Sequence, residues 1–260
     1  MKNYHPYHIV DISPWPLLVG VGVMSAVIGL IKLFMFSEFN LFLLSCLTVF
    51  MLALLWWRDV IRESTYQGFH SSNVLNGLMY GMMLFIVSEI FFFISFFWAF
   101  FHSSLSPSVE LGSIWPPMGL FPFNPFQVPF LNTVILLASG VTITWSHQYI
   151  LCNNWVKAKM TLAMTWMLGL YFLNLQMFEY YMASFSISDS VYGSTFFMST
   201  GFHGFHVIVG TLFLLTVWFR MLSDELTSAH HFGFEASAWY WHFVDVVWLF
   251  LFSVVYWWGT

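Results

Sequence analysis

Seven stretches, at about 15–36, 40–57, 77–102, 129–151, 157–183, 191–222 and 233–257, are each apolar over close to the ~20 residues that a helix rising ~1.5 Å per residue needs to cross a hydrocarbon layer. No other feature limits the fold as tightly. Inside lipid every backbone N–H and C=O must be satisfied within the segment, so apolar runs of this length fold as helices, and the expected fold is an all-α polytopic membrane bundle of seven transmembrane helices. Composition agrees: 7% of residues are charged, against about 25% in soluble domains. Seven basic and twelve acidic residues give a net charge of -5, too sparse and of the wrong sign for a nucleic-acid surface.

The connections support the same spans. Segments three and four are joined by "SLSPSVELGSIWPPMGLFPFNPFQVP", which holds six of the nine prolines and reads as an irregular interfacial loop. Trp15, Trp56, Trp57, Trp115, Trp155, Trp257 and Trp258 fall near span ends, where an aromatic belt sits. With seven spans, Lys2, Arg58, Arg62, Lys157, Lys159 and Arg220 lie on the side of the N-terminus and Lys32 lies near the other. Six of seven basic residues on one face place the N-terminus inside and the C-terminus outside, opposite to a seven-helix receptor. The opening "MKNYHPYHIVDISPWP" has neither the layout of a secretory signal nor that of an Arg-rich transit peptide, so the mature chain is expected to start here. Cys46 and Cys152 fall in or at the end of apolar segments and are expected as buried free thiols, with no disulfide framework or thiolate cluster.

Polar residues inside these spans are expensive and therefore informative. Glu89 sits in the middle of "LFIVSEIFFFISFFWAF", twelve residues into its span, and Asp245 sits twelve into the last one. Both spans enter from the same side, so the two intramembrane carboxylates are expected roughly 18 Å along their helices, near the midplane. Glu89 is either a neutral acid hydrogen-bonded to a neighbouring helix or a residue with a proton or lipid role. His242 shares a helix face with Asp245, and Glu179 lies near the far end of the fifth span. "GFHGFH" places His203 and His206 at i and i+3, a spacing that can ligate a metal. Two nitrogens do not complete a site, so the expectation is no metal and buried histidines bonding across helices that Gly201, Gly204 and Gly210 allow to approach.

Several phrases become specific together: "SPWPL" (13–17), "WWRDVIRESTYQGFH" (56–70), "GMMLFIVSEIFFF" (81–93), "FWAFFHSSLSP" (97–107), "WPP" (115–117), "LLASGVTITWSH" (136–147), "EYY" (179–181), "VYGSTFFMSTGFHGFHV" (191–207) and "HHFGFEASAWYWHFVDVVWLFLF" (230–252). In this order, and over essentially the whole chain, they closely resemble the cytochrome c oxidase subunit III family, in its mitochondrially encoded form. The resemblance implies a multi-pass protein of the mitochondrial inner membrane, N-terminus in the matrix and C-terminus in the intermembrane space. It further implies a two-helix bundle with its matrix-side loop (1–72) and a five-helix bundle (73–260), separated by a cleft that holds phospholipid. The implied partners are chiefly subunit I of the oxidase, together with its other subunits. Haem and copper would reside in those partners, and this chain would carry no cofactor of its own beyond bound phospholipids.

Position by position, Glu89 matches the family's carbodiimide-reactive membrane carboxylate, Arg62 and His70 match residues that hold lipid head groups, and Arg220 matches another lipid-contacting arginine. After Arg220 the stretch "MLSDELTS" departs from the family by adding the negative charges of Asp224 and Glu225. His5, His8, Asp11, His230 and His231 are candidate surface proton collectors on the matrix face, because histidines and carboxylates can titrate near neutral pH. The alternative is a proton-coupled transporter working alone, with Glu89 and Asp245 as a relay. Transporters commonly break helices at the midplane and repeat their halves. Here no proline interrupts spans two, three, five, six or seven, and no internal repeat is visible.

Overall fold

The computed structural model describes residues 5–109 and 112–259; Lys2, counted above for orientation, lies outside them. Among the described residues it contains seven α-helices: α1 (Trp15–Phe36), α2 (Asn40–Thr65), α3 (Ser72–Leu105), α4 (Val128–Leu151), α5 (Trp155–Tyr181), α6 (Val191–Leu222) and α7 (Phe232–Leu251), the last continued by a π-helical stretch, Phe252–Trp258. The expected spans are all present as helices, and two of them run further. Helix α2 continues through Arg58, Asp59, Arg62 and Glu63 to Thr65, and α3 begins at Ser72, so the connection shrinks to residues 66–71. Hydropathy marks where a helix would leave lipid; it does not mark where the backbone ladder ends.

Six of the helices are long and apolar enough to cross a membrane, and α5 departs from the expectation by falling short in apolarity although it is 27 residues long. The reason is where its polar residues sit. Thr165, Gln176 and Glu179 are buried on the stripe Ala158, Leu162, Thr165, Gly169, Phe172, Gln176 and Glu179, and Thr161 is buried beside it. This stripe alternates steps of four and three, the 3.5-residue period of helices packed near 20°. The same alternation recurs in α4 (Asn132, Leu136, Ser139, Ile143, Ser146, Ile150) and in α7 with its extension (Phe234, Ser237, Trp241, Val244, Trp248, Leu251, Val255).

The chain divides into two compact units, Met1–Leu78 and Met79–Thr260. In the first, α1 and α2 form an antiparallel hairpin closed by a short turn, with Ser37 in the left-handed region (φ 56°) and its N–H bonded to Leu33 O. The helices meet at glycines seven residues apart. A Cβ on Gly29 would lie 2.7 Å from the backbone of Phe42, and one on Gly22 would lie 2.8 Å from Val49 Cγ2. Only a residue without a side chain allows that approach. Cys46 faces outward on α2 and Cys152 caps α4; both are free and exposed, which corrects the expectation of burial.

In the second unit α4, α5, α6 and α7 are neighbours in a closed cycle, α4 with α5, α5 with α6, α6 with α7 and α7 back to α4. This is a four-helix bundle. Helix α3 adds Phe93 and Phe100 to its core. Each adjacent pair in the bundle carries a cross-helix hydrogen bond: Thr142 Oγ1 with Thr165 Oγ1 at 2.9 Å, Tyr180 OH to Thr200 Oγ1 at 2.7 Å, His203 Nε2 with Val244 O at 3.2 Å, and Trp241 Nε1 to Ser139 Oγ at 2.8 Å. Trp248 Nε1 adds a second α4–α7 bond, to Thr133 Oγ1. Such bonds contribute about 0.6 to 2 kcal/mol each in membranes. Many other hydroxyls, among them Ser45, Thr161, Thr195 and Ser199, bond back to carbonyls three or four residues earlier on their own helix. Of the expected glycines only Gly210 is pressed, against Trp241 at 2.9 Å; Gly204 faces open space and Gly201 meets only Tyr180 OH at 3.9 Å. The tight contacts fall instead at Gly140, Gly169 and Gly193.

Candidate functional site

Glu89 stands at the centre of the 34-residue α3, and its Oε2 lies 2.9 Å from Nε2 of His206 on α6. The imidazole is fixed from its other side, since Nδ1 is 2.7 Å from the carbonyl of Phe202 one turn earlier. A carbonyl can only accept, so Nδ1 carries hydrogen. One proton is then left for the Nε2–Oε2 contact, and the pair is either acid with neutral imidazole or carboxylate with imidazolium. In both forms it has no net charge, which answers how a carboxylate is tolerated in that aromatic run. Phe92 and Phe93 from α3, Phe205 from α6 and Tyr240 and Phe243 from α7 surround the imidazole. The side chains of Glu89 and His206 are 23% and 10% exposed, so the pair keeps an accessible edge.

Asp245 sits elsewhere. It points from α7 toward α4, where a Cβ on Gly140 would come within 2.8 Å of its Oδ2, and Nδ1 of His242 is 3.9 Å away. It is buried, and its Oδ1 has no hydrogen-bond partner among the described residues. It lines a groove of about 520 Å³ with Leu137, Gly140, Val141, Trp145 and His242. The two intramembrane carboxylates thus have different partners, and the described residues contain no contact that joins them in a relay. His203, the other histidine of the i,i+3 pair, is buried and bonds across to Val244 O.

The expected lipid residues lie near helix ends. Arg62 is exposed on the last turn of α2 and lines a cavity of about 280 Å³ with Asp11, Ser13, Trp15, Asp59 and Glu63. This corner is held by Trp15 Nε1 donating to Asp59 Oδ2 at 2.7 Å and by His8 Nε2 at 2.9 Å from Glu63 Oε2. His8 also stacks on Phe69 and meets the edge of His70. In the second unit Arg220 Nε bonds Glu225 Oε2 at 3.1 Å, and Lys159 Nζ bonds Asp224 Oδ1 at 2.8 Å, so the two extra acidic residues are taken up by basic side chains of this chain.

Of the proposed proton collectors, His5 and Asp11 are exposed and His8 is half-buried. His230 is half-buried, and desolvation, then the nearby Arg220 guanidinium and His231, hold its imidazole below the usual histidine range. His231 is buried and faces His147 and Glu235 rather than solvent. The sequence reading did not bring those three together. The signal available was His231 and Glu235 at i,i+4, but their third member comes from 84 residues earlier in the chain.

The model of the family described as cytochrome c oxidase subunit III matches residues 5–260. The chain is 58% identical to cytochrome c oxidase subunit 3 of Aedes aegypti over 256 residues, 98% of each chain. It is 58% identical to that of Drosophila melanogaster over 255 residues, 98% of this chain and 97% of the relative. With that of Locusta migratoria it shares 57% identity over 259 residues, 100% of this chain and 98% of the relative.

Proposed function

The chain belongs to the cytochrome c oxidase subunit III family, and from that premise we propose that it is a non-redox core subunit of the oxidase in the mitochondrial inner membrane. In this role it supports electron transfer from cytochrome c to oxygen, and the coupled proton pumping, without holding haem or copper. The observation that carries the reading is the family match from residue 5 to the end at near-complete coverage of the relatives. Native electrophoresis of solubilised membranes tests it: the chain should migrate with haem-containing partners. Migration alone, or stoichiometric haem in the separated chain, would overturn it.

Its work is indirect, in three parts. The first is stabilisation of subunit I, for which the exposed apolar faces of the helices offer ample docking area. The second is retention of phospholipid by Arg62 and His70 at the N-terminal side of the membrane. An exposed guanidinium on the last turn of α2 presents the forked donors that a phosphate accepts bidentately. Arg220, already bonded through Nε to Glu225, is a weaker candidate for that role. Replacing Arg62 by Ala should lower the tightly bound phospholipid counted by mass spectrometry; unchanged lipid content would remove the assignment.

The third part is proton collection by His5, His8 and Asp11 on the matrix side, with the N-terminus in the matrix and the C-terminus in the intermembrane space. If the subunit is stripped and the remaining oxidase reconstituted, turnover should fall most at alkaline pH, where free protons are scarcest, and the enzyme should inactivate sooner. A pH profile and an endurance that both stay unchanged would leave a purely architectural subunit.

A further inference from the structure

We propose that His147, His231 and Glu235 form a binding site for a divalent cation of the zinc class, where α4 ends and α7 begins. The donors come from three places: the C-terminal part of α4, the residue capping α7, and the first turn of α7. Each offers one ligand atom, and the three atoms lie within 4.8 Å of one another.

The distances favour a metal over a hydrogen-bonded cluster. His147 Nε2 and His231 Nε2 are 3.4 Å apart, and His231 Nε2 and Glu235 Oε1 are 3.3 Å apart. Both are long for hydrogen bonds, whose usual N···O separation is about 2.9–3.0 Å. Both equal the edge of a tetrahedron whose centre is about 2.0–2.1 Å from each donor, the zinc–nitrogen and zinc–oxygen bond lengths.

The tautomer fits as well. Nδ1 of His231 lies 3.2 Å from the carbonyl of Thr227, which can only accept, so Nδ1 bears the hydrogen and Nε2 presents its lone pair to the cluster. A backbone carbonyl orienting the distal nitrogen is the usual support of a ligating histidine. His231 is buried, and the His147 ring packs on Phe234, so neither ring is free to swing away.

The donor set narrows the ion. Two imidazoles and one carboxylate are too nitrogen-rich for calcium or magnesium, which take oxygen ligands, and no thiolate is present to select copper(I). A His₂Glu set leaves the fourth position to water. Two neutral imidazoles and a single carboxylate leave the complex with one positive charge. Its effect is mechanical: the ion ties the end of α4 to the start of α7, and it needs no electron transfer. The inference stands on this geometry and not on the role proposed for the subunit.

The test uses the intact membrane complex in mild detergent, treated with chelator and then titrated with cobalt(II). One equivalent per copy of this chain should give the visible absorption of tetrahedral cobalt, displaced by zinc. His147→Gln and Glu235→Gln should each lose that absorption and hold zinc at least tenfold more weakly, whereas His102→Gln, far from the cluster, should match the wild type. Hydrogen exchange of the wild-type complex needs no variant: zinc should slow exchange in peptides covering residues 144–152 and 227–236. Tetrahedral cobalt that survives both substitutions, or exchange in those peptides unaffected by zinc, overturns the site.

Discussion

The α1–α2 hairpin and the α4–α7 bundle are both built from long, largely apolar helices, the hairpin's being the more apolar, yet they hold together differently. In the most apolar window of α1, and likewise of α2, 6% of residues are buried; for Phe232–Trp258 the share is 50%. Two helices can share only one seam, and here that seam consists of Gly22 and Gly29 against Val49 and Phe42. Four helices in a cycle enclose an interior, and the interior is furnished with Trp241 and Trp248, which meet hydroxyls, and His203, which meets a carbonyl. In a solvent as apolar as leucine, hydrophobicity cannot decide which face turns inward. Close approach decides it in the hairpin, and satisfied polar groups together with bulky aromatics decide it in the bundle.

The sharpest test sets a bundle tryptophan against a hairpin tryptophan. Trp241→Ala removes a fully buried indole and its bond to Ser139 Oγ, and should cost about 3–5 kcal/mol. Trp57→Ala, at a residue 61% exposed, should stay within about 0.5 kcal/mol. Thermal unfolding of the detergent-solubilised complex would show the gap; equal losses would erase the distinction drawn here.

Next in size is the hairpin's own seam. Gly29→Val drives a side chain into the backbone of Phe42, which cannot rotate away, and should cost about 1–3 kcal/mol. Gly20→Ala, with open space around it, should be silent. Protease sensitivity of the turn at residues 37–39 would report the difference, and a tolerated valine at 29 would show that the helices can separate cheaply.

The Glu89–His206 contact probes polar satisfaction directly. Glu89→Leu leaves His206 Nε2 unpaired and should cost about 1–3 kcal/mol, whereas Glu89→Gln can turn an amide N–H donor toward the Nε2 lone pair and should cost less than about 1 kcal/mol. Denaturant midpoints of the two variants would separate these values. The neutral acid form of the pair also predicts that a hydrophobic carbodiimide modifies Glu89, so peptide mapping that finds adducts only at Asp245 or Glu179 would assign the proton to His206. The smallest change belongs to Ser45→Ala, which deletes only a bond from a side chain to its own helix and should shift stability by less than about 0.5 kcal/mol in the same assay.

Segment length carried most of the fold into the sequence reading, because backbone satisfaction in lipid makes a helix of every apolar run long enough to cross. What it could not carry was orientation about each helix axis. Gly201 and Gly204 stand in the same phrase as the buried histidines but face open space or a distant hydroxyl, whereas Gly169, which no such phrase marks, is tucked under Thr211 and Trp241. A readable trace did exist: Ser139 and Ser146 on α4, and Thr165, Gly169, Gln176 and Glu179 on α5, fall on the alternating three- and four-residue steps that mark the seam. The carboxylates show the same boundary. Glu89 was identifiable as costly from its surroundings, but its partner is 117 residues away in the chain, and no local pattern points to it.

The hydroxyls that bond back to their own helix bear on how such a chain enters a membrane. Ser45, Thr161, Thr195 and Ser199 settle their polarity within a single helix, before any neighbour arrives. These hydroxyls therefore add no unmet polarity when their helices leave a translocation machine. Trp241 with Ser139 and Glu89 with His206 are settled only between helices, so they remain open until α7 has joined α4 and α6 has joined α3. Synthesis runs from α3 to α7, which makes the late helices the ones that release the early ones from an unsatisfied state. A ribosome stalled before residue 206 would leave Glu89 waiting, and an exposed acid in a half-made bundle is the kind of feature that quality-control proteases can recognise.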